Sequence, residues 1–223
     1  MNARALLAEG IGSFFLFATV IGSGIMAANL SQGNDAVALL ANMMATGAIL
    51  FVLITMLAPL SGAHFNPAVS FVAASRKELS WRVAAAYVVA QLAFGLLGAW
   101  AAHLMFELPV LQWSEKARSG LGQWVSEAVA TFGLILTILG TVRHRTAWVP
   151  ASVALYIVAA YWFTASTSFA NPAITIVRSL TESFAGIAPR DVPMFVLAQS
   201  IGAALAAATA RYLFDENPPP RHA

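Results

Sequence analysis

The chain has 223 residues, of which 59% are apolar and 10% charged, with a formal net charge of +2 and no cysteine. Soluble domains carry about 25% charged residues, so a water-exposed globule is excluded and a lipid-embedded chain is expected. The absence of cysteine excludes disulfides and thiolate metal sites.

Six apolar stretches follow one another, each near the roughly 20 residues a spanning helix needs. They run about Leu6–Ala28, Ala36–Leu60, Val83–Phe106, Trp124–Thr141, Trp148–Ser168 and Val192–Phe214. The first is long and follows a single basic residue, so it reads as a span and not as a cleaved signal. Two shorter apolar pieces, Asn66–Ala74 and Asn171–Leu180, cannot cross a bilayer. Glu216–Ala223, with three consecutive prolines, reads as a disordered tail. With both termini cytoplasmic, eight Lys and Arg (Arg4, Arg76, Lys77, Arg82, Arg143, Arg145, Arg211, Arg221) fall inside. Four (Lys116, Arg118, Arg178, Arg190) fall outside, which fits the positive-inside rule. Trp81, Trp113, Trp124 and Trp148 fall near span ends, where interfacial anchors are expected.

The order of features repeats. AEGIGSFFLF, SGAHFNPAVSFV and YVVAQLAFGLLGA in the first half match SEAVATFGLI, TSFANPAITIV and FVLAQSIGAALA in the second. Glu9 pairs with Glu127 at a separation of 118, Asn66 with Asn171 at 105, and Gln91 with Gln199 at 108. Three spans per half is an odd number, so the second half enters the membrane from the opposite side. The expectation is an all-α membrane protein: one channel domain over 1–215 (repeat one about 1–110, repeat two about 120–215). It has six transmembrane helices plus two re-entrant half-helices in an inverted repeat.

Asn66-Pro67-Ala68 and Asn171-Pro172-Ala173 each follow a span and open a short segment. Asn is a strong helix N-cap and Pro fits the first helical turn, so each motif starts a helix of two or three turns. Half-helices entering from opposite faces meet near the midplane. Each adds a partial positive charge of about half an elementary unit there, opposing cations while the Asn amides offer donors to neutral hydroxylated molecules. His64, with no partner at metal-ligand spacing, reads as a loop residue whose carbonyl faces the pore. No metal site, no cofactor and no nucleic-acid partner is expected. A nucleophile, base and orienting group are not visible together, so an enzyme is not expected either.

Over nearly its whole length the sequence resembles the aquaporin (major intrinsic protein) family, most strongly at SGAHFNPAV. The resemblance implies a homotetramer with one pore per subunit. It implies that Glu9 and Glu127 accept hydrogen bonds from the loops before the half-helices, as scaffold. Gln91 and Gln199 either bond similarly or join helix to helix. Most members place Arg directly after the second motif; here that residue is Ile174. Aligned without gaps, the other constriction positions fall on Thr46, Ala159 and Ser168, a small and partly apolar set that implies a wider, less positive pore. FANPAITIVRSL and the nearby AYWFTASTS resemble bacterial channels of this family linked to arsenic resistance, which implies passage of undissociated arsenous acid. A glycerol and water facilitator is the alternative, and a coupled transporter a more distant one. Arg178 lies one helical turn beyond Ile174. Either it lines the outer vestibule and partly replaces the missing filter charge, or it faces headgroups or a neighbouring subunit. The lipid bilayer and small neutral solutes are the expected partners, in a bacterial inner membrane.

Overall fold

The computed structural model describes residues 2–215; the tail 216–223, expected to be disordered, lies outside the described residues. Eight α-helices follow in order: α1 (Ala3–Leu30), α2 (Asp35–Ser61), α3 (Pro67–Ser75), α4 (Trp81–Met105), α5 (Leu121–His144), α6 (Val149–Phe163), α7 (Pro172–Arg178) and α8 (Val192–Ala210). Six are long and apolar enough to cross a membrane, counting the 3₁₀ turns that lead into α6 and α8. There is no strand among the described residues. The long helices are apolar nearly all round, because one face meets protein and the other lipid. Tracing the six crossings puts the two ends of the described residues on one side, called here the near side; the loops 106–120 and 179–191 lie on the far side.

Sequence chemistry explains the breaks. Gly62, at φ 88°, ends α2 in the left-handed conformation that an L side chain resists. Asn66 and Asn171 cap α3 and α7, with Pro67 and Pro172 next in line. The fifth span is shorter than the expected Trp148–Ser168. The helix stops at Phe163, and Thr164 turns extended so that the chain can re-enter the protein toward Asn171. At 15 residues α6 is only about 22 Å long; the 3₁₀ turn Thr146–Trp148 before it completes the crossing. Trp81, Trp113 and Trp148 are exposed, whereas Trp124 is half-buried against a cluster of Phe169, Ile187 and Phe195.

Each half packs the same way. α1 lies along α4 and α2, and α5 lies along α8 and α6. The halves interlock: α2 packs on α6, α3 on α8, and α4 on α7. The close helix crossings rest on glycine. A Cβ on Gly98 would sit 2.2 Å from the Phe14 carbonyl oxygen, and one on Gly202 2.2 Å from that of Ala128. Nothing larger fits between these backbones.

Candidate functional site

The two motif loops are built alike. Gly62, Ala63 and Phe65 have positive φ, and so do Thr167, Ser168 and Ala170, each 105 residues on. Loops so contorted leave the amides just before each motif without a partner of their own, and in lipid each orphan donor costs several kcal/mol. The glutamates of α1 and α5 meet that need. The Glu9 carboxylate accepts from the amides of His64 and Phe65 (both 2.8 Å), from Ser61 Oγ (2.7 Å) and from Gln91 Nε2 (2.8 Å). The Glu127 carboxylate accepts from the amides of Phe169 and Ala170 (both 2.9 Å) and from Gln199 Nε2 (2.6 Å). Gln91 also donates to Ser70 Oγ at 3.2 Å, and Gln199 to Thr175 Oγ1 at 2.9 Å. The glutamines therefore tie each glutamate to its half-helix.

The motifs are fastened to each other. Asn66 Nδ2 donates to the Ala170 carbonyl and Asn171 Nδ2 to the Phe65 carbonyl, each at 2.8 Å. Each Asn Oδ1 turns back to cap its own helix, on Ala68 N at 2.9 Å and on Ala173 N at 3.0 Å. Pro67, Ala68, Pro172 and Ala173 are buried beside them. Each amide keeps one N–H that its carbonyl partner does not use. The carbonyls of Gly62, Ala63 and His64, and of Ser168 and Phe169, receive no protein hydrogen bond among the described residues. His64 Nδ1 lies 3.0 Å from Ser70 Oγ. No group of three or more His, Asp or Glu able to hold a metal occurs among the described residues.

A cavity of about 370 Å³ passes these motifs. Arg76, Glu78, Arg143 and Phe214 line its near end; Thr46, Tyr161, Ser168, Ile174 and Arg178 line it beyond the motifs, toward the far side. Its middle walls are apolar, with Leu16, Val20, Leu134 and Ile138. Leu16 and Leu134, and Val20 and Ile138, are 118 residues apart, the spacing of the glutamates.

One expected constriction residue is misplaced. Ala159 is exposed on the outer side of α6. Ile157 and Tyr161, four residues apart, face the lumen, and a residue midway between them points about 200° away. Tyr161 is the α6 residue that lines the cavity at this level. Thr46 Oγ1 gives its single proton to the Asn42 carbonyl at 2.8 Å. Its 3.2 Å contact with the Tyr161 hydroxyl is therefore Tyr161 donating, and the lone pairs of Tyr161 remain available. The buried Ser168 hydroxyl has no protein partner.

Arg178 is 2% exposed and lines the cavity. Its Nε–H donates to the Ala185 carbonyl, and its guanidinium lies 3.3 Å over the Phe169 ring centroid. A second arginine comes to the same ring: Arg118, from the loop 106–120, at 4.9 Å. Sequence reading missed Arg118 as part of this region. It donates through Nε to the Gly186 carbonyl (2.8 Å) and through Nη1 to the Ser166 carbonyl (3.0 Å), and its amide bonds Asp191 (2.7 Å). It thereby clamps the far-side loops around the α7 segment. Lys116, half-buried in the same loop, donates to the Phe184 carbonyl at 2.7 Å. Burial, aided by repulsion from Arg118 and Arg178, lowers its pKa to about 8. His103, fully buried at the far end of α4, lies 2.8 Å from Thr181 Oγ1 and 3.0 Å from the Val110 carbonyl, joining the two loops again.

Paired half-helices, reciprocal asparagines and a cavity between inverted halves define a membrane channel. Residues 1–164 match the family described as Major intrinsic protein, and the chain belongs to that family, whose members are channels and not enzymes. It is 56% identical over 212 residues to the aquaglyceroporin AqpS of Rhizobium meliloti (strain 1021), covering 95% of this chain and 91% of the relative. It is 29% identical over 215 residues to aquaporin NIP3-1 of Arabidopsis thaliana, covering 90% and 64%. The X-ray structure of the aquaglyceroporin from Plasmodium falciparum superposes with a TM-score of 0.74 at 18% identity, covering 96% of this chain and 97% of that one; that likeness speaks for the fold.

Proposed function

We propose that this chain is a passive channel for small uncharged hydroxylated solutes, namely neutral metalloid hydroxides such as arsenous acid and small polyols, together with water. The observation that carries the reading is the region beyond the motifs, where Ile174 stands in the position after the second motif and the cation lining that region is Arg178, a turn further on. A polyol or a trihydroxide needs an apolar wall for its skeleton and donors and acceptors for its hydroxyls. Ile174 supplies the first. Tyr161, Thr46 and Arg178 supply the second. At the centre, the free N–H of Asn66 and of Asn171 orient the passing molecule. The lumen there offers no carboxylate to a dehydrated cation, because Glu9 and Glu127 are spent on loop amides. The same commitment argues against a coupled transporter, which needs a titratable or ion-binding group free to work.

The setting proposed with it is a homotetramer in a bacterial inner membrane with both termini cytoplasmic. The charge count of eight against four supports the orientation, and the AqpS relative supports the channel type. Stopped-flow light scattering on proteoliposomes, with water, glycerol, urea, boric acid and arsenous acid in turn, tests the reading beside Ile174→Arg. The wild type is expected to pass the larger solutes, and the variant to lose them while keeping water. A variant that keeps every larger-solute rate removes the argument.

A further inference from the structure

Arg178 is a buried charge without a counter-charge at hand. Among the described residues the ion pair is Arg76–Glu78, at the near end of the cavity. Among the described residues no carboxylate comes within ion-pair distance of Arg178, and Glu127 is taken up by the Phe169 and Ala170 amides. A cation held so deep in protein is costly unless paired. Its surroundings fix its plane and its direction. The Phe169 ring covers one face, and the Nε–H is turned to the Ala185 carbonyl. The two terminal nitrogens have no protein partner among the described residues, and the residue lines the cavity. The Ser168 hydroxyl, also in the lining, is likewise unpartnered. Arg118, on the same ring, and Lys116, in the same loop, add positive field on this side.

We infer that this guanidinium is a binding subsite for a small planar oxyanion of carboxylate or nitrate shape, entering from the far side and blocking neutral-solute flux. A terminal N–H pair in a rigid fork matches two oxygens of such an anion, and charge-assisted pairs of this kind are short and strong. Ile174, beside the fork, offers the anion no donor in place of its water, so the anion is held at the fork and, while bound, occupies the lumen that neutral solutes need. The inference rests on the channel reading above, but not on which neutral solute is carried.

The test uses nitrate, which stays ionised and has the required shape, against equal ionic strength of chloride, which has no pair of oxygens to meet the fork. In proteoliposomes of the full chain, glycerol flux is expected to fall saturably with nitrate and to be far less affected by chloride. Arg178→Gln should weaken nitrate roughly ten- to hundred-fold, as expected for losing hydrogen bonds to a charged group. Arg178→Lys, which keeps charge and loses the fork, should fall between. Nitrate line broadening by ¹⁵N NMR on the detergent-purified channel reads binding without flux, and size-exclusion profiles check that each variant is folded. Equal sensitivity of wild type and Arg178→Gln, or no broadening with wild type, overturns the inference. Broadening by the wild type from liposomes that pass no solute would instead sink the channel reading and leave the anion subsite standing.

Discussion

Replacing Glu127 by Gln removes one carboxylate oxygen from a site where three donors converge. The new side chain keeps one acceptor, which suits the Phe169 amide. Its NH₂ then faces Ala170 N–H and Gln199 Nε2. Gln199 can turn its amide end for end, because its Oε1 is unpartnered, but only by giving up its bond to Thr175 Oγ1, so relieving that conflict costs another hydrogen bond. The Ala170 N–H remains orphaned inside the protein, at about 1–3 kcal/mol, and the charge assistance of the other bonds is lost as well. The expected total is about 2–4 kcal/mol. Glu9→Gln should cost at least as much, since four donors meet on that carboxylate. Equilibrium unfolding in mixed micelles, followed by tryptophan fluorescence, measures both. Flux should fall with stability, because the Ala170 carbonyl holds Asn66. Variants within about 0.5 kcal/mol of the wild type, or of unchanged stability but altered coupling of flux to a proton gradient, would refute the scaffold role.

Three further outcomes are expected. Gly98→Ala and Gly202→Ala each push a Cβ to 2.2 Å from a backbone oxygen, and should destabilise by about 1–3 kcal/mol or more. Gly122→Ala, which meets nothing within 4 Å, should be neutral or stabilise by up to about 1 kcal/mol; thermal scans of the three in detergent decide. Tyr161→Phe keeps volume but removes the hydroxyl bonded to Thr46. It should slow glycerol roughly two- to ten-fold relative to water, the value of one ordinary hydrogen bond, as read by paired stopped-flow traces. Lys116 has a folded pKa of about 8, below its usual 10.5, so the fold favours its neutral form. Its unfavourable contribution is fully present below pH 8 and is relieved as pH rises from about 8 toward 10.5. The melting difference between wild type and Lys116→Met should shrink across that window, and a flat difference would contradict the assignment.

Much of this architecture is readable from the chain because its strongest signals are local. An Asn-Pro pair after a long apolar run dictates a capped helix start, and lipid leaves a contorted loop few partners but a carboxylate from a neighbouring helix. The repeat then locates that carboxylate by spacing alone, in both halves. Ala159 shows where such reasoning stops. An ungapped alignment fixes a helical face only if the residues between it and the next landmark keep their number. The seven residues between α6 and Asn171 have no period to count by. Arg118 was out of reach for a different reason. It stands in a loop of Glu, Lys, Ser and Gln that reads as solvated, and only loop 179–191 folding over it reveals that it is buried. The length of α6 was overestimated because Ala165 and its Ser and Thr neighbours offer no proline or glycine to mark the stop.

The reciprocal grip of Asn66 and Asn171 also bears on how the molecule is made. The first asparagine is synthesised 105 residues ahead of the second, which at ribosomal speed is roughly 5–20 seconds. During that interval its amide has no Ala170 oxygen to hold, and α3 has no α8 to lean on. A nascent or truncated chain ending before α7 thus leaves Asn66 Nδ2 and the Phe65 carbonyl without these partners. Closure comes only when the last quarter of the polypeptide arrives, so the two halves mature as one body or not at all.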